Sequence, residues 1–327
     1  MQLPFQKYLG PLIARRRTKK IQEEYGKIGG GSPLEKWTTI QAQGMVEILD
    51  KECPETAPHQ FYIGFRYNEP SIQTAVEKIR KDGMKRVVAF SQYFQYSCTT
   101  SGSNLNNLYK FQKMYDQNGE ISWSFIDRWA TNPLLVKVFA TSIQKAIEKL
   151  PLEHRSTAPI LFSAHSVPLR TVAKGDPYPC EVSGTVEHVV AELRNRNVKN
   201  PYRLIWQSKV GPLPWLEPAT DKVITQLGAS NCKACVISPI AFTSDHIETL
   251  FELGIEYREL AQKHGIEHYI VADPPNDNPQ FIRCLAELVK SHLNGTDSEN
   301  NQIFMRCPGC QSEQCEITKK WILNQRI

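Results

Sequence analysis

Short runs of β-branched and aromatic residues alternate along the chain with longer segments in which apolar residues recur every three or four positions. The longer segments, such as SIQTAVEKIRKDG, LLVKVFATSIQKAIEKL and EVSGTVEHVVAELRNRN, predict amphipathic helices, and the short runs predict strands. We expect strands at Phe61–Arg66, Arg86–Ser91, Ser122–Ile126, Pro159–Ser163, Arg203–Gln207, Ala234–Ile240 and Ile266–Ala272. Apolar strands that alternate with helices indicate an α/β fold, with parallel sheets covered on both faces.

The predicted strands divide at Pro151 into a group of three and a group of four. We therefore expect two Rossmann-like, doubly wound halves, residues 1–150 and 151–292, with a ligand cleft between them. If the two halves are similar, the first lacks one strand. The polar, turn-rich stretch Leu293–Gln302 predicts a linker, so that residues 293–327 form a cysteine-bearing extension.

The segment AFTSDHIETLFELGIEYREL predicts a helix with acidic residues on one side. Asp245, Glu248, Glu252 and Glu256 follow one another at spacings of three, four and four. At about 100° per residue, these spacings place the four carboxylates in one stripe. Two interpretations fit the stripe: a solvated acidic face, and a ladder of carboxylates along which protons or metal ions move.

In open α/β sheets, ligands bind beyond the carboxyl ends of the strands. The residues expected there are aromatic, basic, imidazole and carboxylate side chains: Arg66, Tyr67, Tyr93, Tyr96, Asp127, Arg128, Trp129, His165, Ser208, Lys209 and the acidic stripe. They predict a cleft with aromatic walls and titratable groups inside. An imidazole such as that of His165 can transfer protons near neutral pH, although a histidine at a strand end can equally be a structural cap.

Composition narrows the class of protein. The 327 residues are 41% hydrophobic and 22% charged, which is typical of soluble globular proteins. No apolar run of about 18 residues is present, so we expect no membrane-spanning helix. The net charge of +5 is modest, and we expect no nucleic-acid partner. The chain opens with an apolar segment followed by the basic cluster Arg15–Lys20, a pattern that suits either a membrane surface or a solvated helix end.

The nine cysteines are too sparse for a disulfide scaffold, and their number favours a reducing compartment. Cys307, Cys310 and Cys315 form the spacing C-x2-C-x4-C, which is typical of ligands for zinc or an iron–sulfur cluster. Such a site needs a fourth ligand, which must come from outside the tail. A second pair, Cys232 and Cys235, precedes a predicted strand and is interpreted as structural.

Several separated segments together resemble the ferrochelatase family: RRRTKKIQEEYGKIGGGSP, FYIGFRY, FSQYFQYSC, FSAHSVP, GDPYP, NPYRLIWQSKVGPLPWL and PIAFTSDHIETLFELGIEY. The resemblance extends over essentially the whole chain. It implies a lyase that inserts Fe²⁺ into protoporphyrin IX at the end of haem synthesis. It also implies a homodimer at the matrix side of the mitochondrial inner membrane, in peripheral contact with that membrane, with an iron-donor protein as a further partner.

The resemblance assigns roles to particular residues. His165 would accept the pyrrole protons, assisted by Glu248, with Asp245 and His246 orienting these groups and Glu252 and Glu256 forming a path outward. Glu287 is a further catalytic candidate, at a position where relatives have a functional aspartate. The residues expected to bind porphyrin or shape its pocket are Arg17, Tyr25, Ser32, Arg66, Tyr67, Tyr93, Trp215 and Phe242.

The tail resembles that of animal ferrochelatases, in which the extension carries a [2Fe–2S] cluster. In that form the fourth ligand is a cysteine in the segment that matches QYSCTT, here Cys98. The resemblance therefore implies Cys98, Cys307, Cys310 and Cys315 as the ligand set.

Two features depart from the family pattern. Asn132 stands where animal relatives often have histidine, and the family begins with a strand and a glycine-rich turn upstream of any segment in this chain. The second departure suggests an alternative, a truncated, weakly active or inactive form that binds porphyrin or the cluster. Another alternative is an iron–sulfur electron carrier, although that role would not need the residues of the cleft.

Overall fold

The computed structural model describes residues 18–296 and 307–325. Residues 18–27 are helical and are termed α1. The other α-helices are α2 Leu34–Glu52, α3 Ile72–Lys81, α4 Ser101–Tyr115, α5 Pro133–Glu148, α6 Leu169–Ala173, α7 Tyr178–Asn195, α8 Thr220–Ala229, α9 Tyr257–Lys263, α10 Pro279–Leu293 and α11 Glu313–Asn324. The strands are β1 Arg86–Phe90, β2 Ser122–Ile126, β3 Ile160–His165, β4 Tyr202–Gln207, β5 Ala234–Pro239 and β6 His268–Val271.

The second half contains a four-stranded parallel sheet in the order β4-β3-β5-β6. β5 is buried throughout, and β3 is buried except at its last residue, His165. These strands are apolar because helices cover both faces of a parallel sheet. The parallel α/β architecture predicted from the sequence is confirmed, and β3 presents His165 at the carboxyl edge, opposite Gln207 of β4.

The first half contains a smaller sheet, in which β1 and β2 pair in parallel. The strand predicted at Phe61–Arg66 is wrong, since the segment forms only an isolated bridge between Phe65 and Ser71. Among the described residues, no backbone hydrogen bond joins 61–64 to β1. Both segments instead line one cavity. The aromatic and β-branched residues of this segment therefore pack without a neighbouring strand to pair with.

The acidic segment is helical, but its centre differs from the expected α-helix. Glu248–Glu256 form a π-helix, which continues directly into α9. A π-helix has hydrogen bonds from residue i to i+5, so each turn contains more residues than an α-helical turn. The prediction of a regular stripe at 100° per residue is therefore wrong for this segment. Wide turns of this kind frequently occur at functional sites.

One hydrophobic core crosses the predicted boundary at Pro151. It includes Phe139 of α5, Phe162 of β3 and Phe281 of α10, all of them fully buried. α10 packs against both α2 and α5, which come from the first half of the sequence. The two predicted halves thus share side chains that exclude water, and the residues at the carboxyl edge of β3 lie beside helices of the first half.

The end of the chain contacts both halves. Trp321 of α11 packs against Phe125 of β2 at a ring-centroid distance of 5.1 Å and against Tyr109 of α4 at 5.4 Å. Upstream, the backbone N–H of Gly309 donates to the carbonyl oxygen of Lys174 at 2.9 Å. None of the helices within the described ranges is long and apolar enough to cross a membrane.

Candidate functional site

A cavity of about 1460 Å³ lies at the carboxyl end of β3 and extends along α2, α3 and β1. Eight of the residues predicted from the sequence line it together: Arg66, Tyr93, Asp127, His165, Trp215, Phe242, His246 and Glu248. They come from segments that are distant in the sequence, so the fold assembles them. The cavity combines aromatic walls with imidazole and carboxylate groups.

A hydrogen bond to the backbone of the next residue orients the His165 ring. Its Nδ1 lies 2.6 Å from the carbonyl oxygen of Ser166. Because a carbonyl oxygen only accepts, Nδ1 carries the hydrogen and donates it. In the neutral imidazole, the lone pair is then on Nε2, which lies 3.5 Å from Oε1 of Glu248. This tautomer leaves a proton acceptor beside a carboxylate, with 39% of the His165 side chain exposed.

Glu248 lies between two imidazoles. Its Oε1 faces His165, and its Oε2 lies 3.5 Å from Nε2 of His246. Burial raises the pKa of this carboxyl, but the hydrogen bond from His246 and the charges of the two histidines outweigh burial, so the net pKa is lowered. Glu248 is therefore an anion at neutral pH, able to stabilise a positive charge on either ring.

Asp245 does not line the cavity, but it holds the beginning of the acidic segment. Its Oδ2 accepts a hydrogen bond from Nδ2 of Asn276 at 2.7 Å, and its Oδ1 accepts one from the hydroxyl of Thr249 at 2.8 Å. The same hydroxyl oxygen accepts from the backbone N–H of His246 at 3.0 Å. Asn276 lies in the loop that follows β6, at the carboxyl edge of the sheet, but no sequence motif marks it as a site residue.

The two outer carboxylates of the ladder have different surroundings. Glu252 accepts hydrogen bonds from Gln207 Nε2 at 3.0 Å, from the backbone N–H and the hydroxyl of Ser208, and from the hydroxyl of Tyr257 at 2.9 Å. Glu256 is exposed, and partial desolvation, followed by the charge of Glu252, raises its pKa. A solvated acidic face does not describe the contacts of Glu252, whereas conduction along the ladder stays a prediction.

Aromatic and basic groups form the mouth of the cavity. The guanidinium of Arg66 lies 4.9 Å from the ring centroid of Tyr67, and its Nε donates to the hydroxyl of Ser103 at 3.2 Å. Tyr67 is 82% exposed, so it lies at the rim, outside the cavity lining. Phe242 packs against His246 with ring centroids 4.8 Å apart. These rings place a flat, apolar surface beside the titratable groups.

Three further site residues predicted from the sequence, all within the described part of the chain, lie away from the cavity. Glu287 is on α10, where its carboxylate pairs with Arg283 one turn earlier, and it does not line the cavity. The geometry therefore does not support a catalytic role for Glu287. Tyr25 and Ser32 also lie outside the cavity lining. Arg17 lies outside the described residues.

Asn132, the first departure from the family pattern, has a local structural role. It is the N-cap of α5, and its Oδ1 accepts hydrogen bonds from the backbone N–H groups of Leu134 and Leu135. Asparagine is among the best N-cap residues, which accounts for this residue without a role in catalysis.

The tail brings a second group of candidate ligands together. The thiols of Cys98 and Cys307 and a carboxylate oxygen of Asp176 all lie within 4.8 Å of one another. Burial raises the pKa of the Cys98 thiol, and the nearby Asp176, Cys307 and Cys310 raise it further. Cys315 does not belong to this group of three, and its sulfur accepts a hydrogen bond from Nδ2 of Asn106 at 3.3 Å. Metal binding would displace the thiol protons, and within the described residues Cys98, Cys307 and Asp176 could each offer one ligand atom to the same ion.

The comparisons decide the family. The sequence profile described as Ferrochelatase matches residues 1–293. The chain belongs to the ferrochelatase family. It is 49% identical to the mitochondrial ferrochelatases of Gallus gallus and Homo sapiens, over 100% of its own length and over 81% and 77% of theirs. It is 48% identical to the Drosophila melanogaster ferrochelatase, over 98% of this chain and 83% of that protein.

A solved structure supports the fold of this ferrochelatase. The structure described as SirB from Bacillus subtilis with Fe3+ has a TM-score of 0.54 and is 15% identical. The similarity covers 80% of this chain and 91% of that chain. At this identity the similarity shows a shared α/β architecture with parallel sheets.

Proposed function

We propose that this ferrochelatase inserts Fe²⁺ into protoporphyrin IX with His165 as the base that accepts the pyrrole protons. The family match and the mitochondrial relatives support iron insertion as the reaction, the last step of haem synthesis, catalysed by a metal chelatase of the lyase class. The observation that carries the catalytic assignment is Nε2 of His165, unprotonated in the neutral ring and 3.5 Å from the carboxylate of Glu248.

The chemistry requires the loss of two N–H protons from the porphyrin as Fe²⁺ binds to the four ring nitrogens. His165 Nε2 accepts a proton, and the adjacent anion of Glu248 stabilises the imidazolium. Transfer of that proton toward Glu248 and His246 restores the neutral base for the second proton. The products are the iron porphyrin and two protons, so atoms and charge balance. The rings of Phe242 and Trp215 and the guanidinium of Arg66 line the cavity where the macrocycle would bind.

A comparison of two carboxylates tests this assignment. Replacing a positioned acid–base group typically costs about 10²–10⁴ in rate. Glu248→Gln should lower turnover by an amount in this range while porphyrin binding is retained. Glu256→Gln, at the outer end of the ladder, is the matched control and should have a smaller effect. Equal effects of the two changes would contradict the assignment of Glu248.

We also propose that Cys98, Cys307, Cys310 and Cys315 bind one [2Fe–2S] cluster. When bound, such a cluster supplies a one-electron redox centre and links the extension to the body of the protein. The proximity of Cys98 to Cys307, together with the tail spacing, supports this ligand set. Purified protein should be red-brown, with visible charge-transfer bands that Cys310→Ser removes. Colourless protein with one zinc ion per chain would favour the zinc alternative.

For the cellular setting, we propose peripheral association with the matrix side of the mitochondrial inner membrane, as a homodimer supplied by an iron-donor protein. The mitochondrial relatives support the compartment. The exposed side chains of Leu169 and Val210 support surface contact with lipid. Flotation with anionic vesicles tests the contact, which Val210→Ser should weaken. The comparisons give no support to the first alternative, a truncated, inactive form. The second alternative, an iron–sulfur electron carrier, would not need the cavity that the fold assembles.

A further inference from the structure

Asn276 has an unusual backbone conformation that brings its amide group to the acidic segment. Its φ is 44°, in the left-handed region that asparagine adopts more readily than most residues. Its side chain makes two hydrogen bonds with Asp245. Nδ2 donates to Oδ2 at 2.7 Å, and Oδ1 accepts from the backbone N–H at 2.7 Å. This pair of contacts fixes both the backbone and the carboxylate of one residue.

The Asn276 loop is itself anchored from the first half of the chain. Gln41 of α2 is 2% exposed, and its Nε2 donates to the carbonyl oxygens of Asn276 at 2.8 Å and Thr243 at 3.0 Å. The backbone N–H of Asn276 donates to the same Thr243 carbonyl at 3.1 Å. A buried amide with two good acceptors holds these segments firmly, because breaking either bond would leave a polar group unpaired.

The contacts continue from Asp245 to the beginning of the π-helix. The Thr249 hydroxyl donates a hydrogen bond to Asp245, and the same hydroxyl oxygen accepts one from the backbone N–H of His246. His246 in turn contacts Glu248 through its Nε2. Each link is a direct hydrogen bond or ion pair between neighbouring groups, so a shift of Asp245 would change the position of the Glu248 carboxylate relative to His165.

We propose that Asn276 is a positioning residue for the His165–Glu248 pair, with Gln41 as its anchor. Asn276 does not line the cavity, and its side chain contacts Asp245 rather than His165 or Glu248. It acts through Asp245 and the π-helix by fixing the place of the Glu248 carboxylate. This inference rests on the proposed roles of His165 and Glu248.

The variant Asn276→Gly tests the proposal, because glycine keeps the left-handed backbone and removes only the amide. We expect kcat to fall about 10-fold to 10²-fold, because a small misplacement of reacting groups lowers the rate by such factors. The KM for porphyrin should change little. Asn231→Gly is the matched control. Asn231 also has a left-handed backbone, with φ of 58°, but it is exposed in the turn after α8. That change should leave kcat unaltered.

A double variant separates positioning from other effects. If Asn276 acts through Glu248, Asn276→Gly should lower kcat little further in a protein that already carries Glu248→Gln. The proposal would be overturned if the two kcat losses multiplied in the double variant. It would also be overturned if Asn276→Gly alone kept the wild-type kcat while Glu248→Gln alone was impaired. Wild-type kcat in Glu248→Gln alone would instead refute the proposed function on which the inference rests. Thermal melting must show that Asn276→Gly is folded, and Gln41→Leu, which removes only the anchor, should lower kcat in the same direction.

Discussion

Nε2 of His165, at the end of β3, lies 3.5 Å from Oε1 of Glu248, the first residue of the π-helix. The strand and the helix meet at the carboxyl edge of the parallel sheet, where ligands bind in open α/β folds. The pair joins an imidazole, which can accept a proton, to a carboxylate whose pKa is lowered. The reaction requires such a pair, since each proton removed from the macrocycle places a positive charge on the base.

Glu252 provides a test of whether the carboxylate ladder transfers protons or metal ions, or instead stabilises the fold. Its carboxylate accepts hydrogen bonds from Gln207, Ser208 and Tyr257. Glu252→Gln replaces one acceptor oxygen by a donor, so at least one of these donors loses its partner, at a cost of about 1–3 kcal/mol. We expect a lower melting temperature together with reduced turnover. Unchanged stability with strongly reduced turnover would indicate that Glu252 serves mainly in proton or metal transfer.

Glu181 should make stability depend on pH. It is buried beside Arg128, whose guanidinium lies 2.8 Å away, yet burial outweighs that charge and raises the pKa of Glu181 to about 7. A carboxyl with a raised pKa binds its proton more tightly in the folded state. The contribution of Glu181 to stability is therefore fully present below the unfolded pKa and is lost as pH rises from about 4.5 to about 7, by up to roughly 3 kcal/mol.

Denaturant unfolding at several pH values measures this dependence. Glu181→Gln should remove the component of the slope that lies between about pH 4.5 and 7. The matched change Glu187→Gln, on the exposed side of α7, should leave the slope unaltered. An identical slope in wild type and Glu181→Gln would show that Glu181 stays ionised in the folded protein.

Trp321 should control whether the extension remains attached. Its ring contacts Tyr109, Trp123 and Phe125, and aromatic pairs contribute about 0.5–1.5 kcal/mol each beyond the area they bury. α11 also carries Cys315. Trp321→Ala should therefore weaken both the docking of α11 and the visible bands of the cluster. Leu323→Ala, at a half-exposed position of the same helix, should change neither. Full bands in Trp321→Ala would show that the cysteines alone hold the tail.

The two sheets should differ in hydrogen exchange. β3 is paired on both sides, whereas β1 pairs with β2 on one side and lines the cavity. Amides in a strand with fewer partners open at lower free energy. We expect the amides of β1 to exchange faster than those of β3. Equal protection of the two strands would contradict this description of the smaller sheet.

The main sheet and its edge could be predicted from the sequence because the apolar runs of β3 and β5 are long and bounded by turns. Phe61–Arg66 misled the prediction because β propensity describes a residue's fit to a sheet but not the presence of a neighbouring strand. The π-helix was missed for a related reason. Glu252 within this helix contacts Ser208 and Gln207, which lie about 45 residues earlier, and no local periodicity records such contacts.

The candidate site was predictable where residues end strands, as His165 does. Asn276 is also in a loop after a strand, but its function depends on its contact with Asp245, which lies on a different loop. Cys98 was indicated by the family resemblance alone, because its spacing from the tail cysteines follows no motif and only folding brings it near Cys307. Glu287 was suggested by its matching position, which does not record that its carboxylate pairs with Arg283 on the same helix.

The central claim is that His165 removes the pyrrole protons, and single-turnover iron insertion tests it most directly. Wild type and His165→Ala are each loaded with protoporphyrin IX, mixed with Fe²⁺ without oxygen, and followed by the change in porphyrin absorbance. We predict that His165→Ala binds porphyrin with nearly unchanged affinity and inserts iron about 10²–10⁴ times more slowly. Insertion at a rate close to that of wild type would contradict the account.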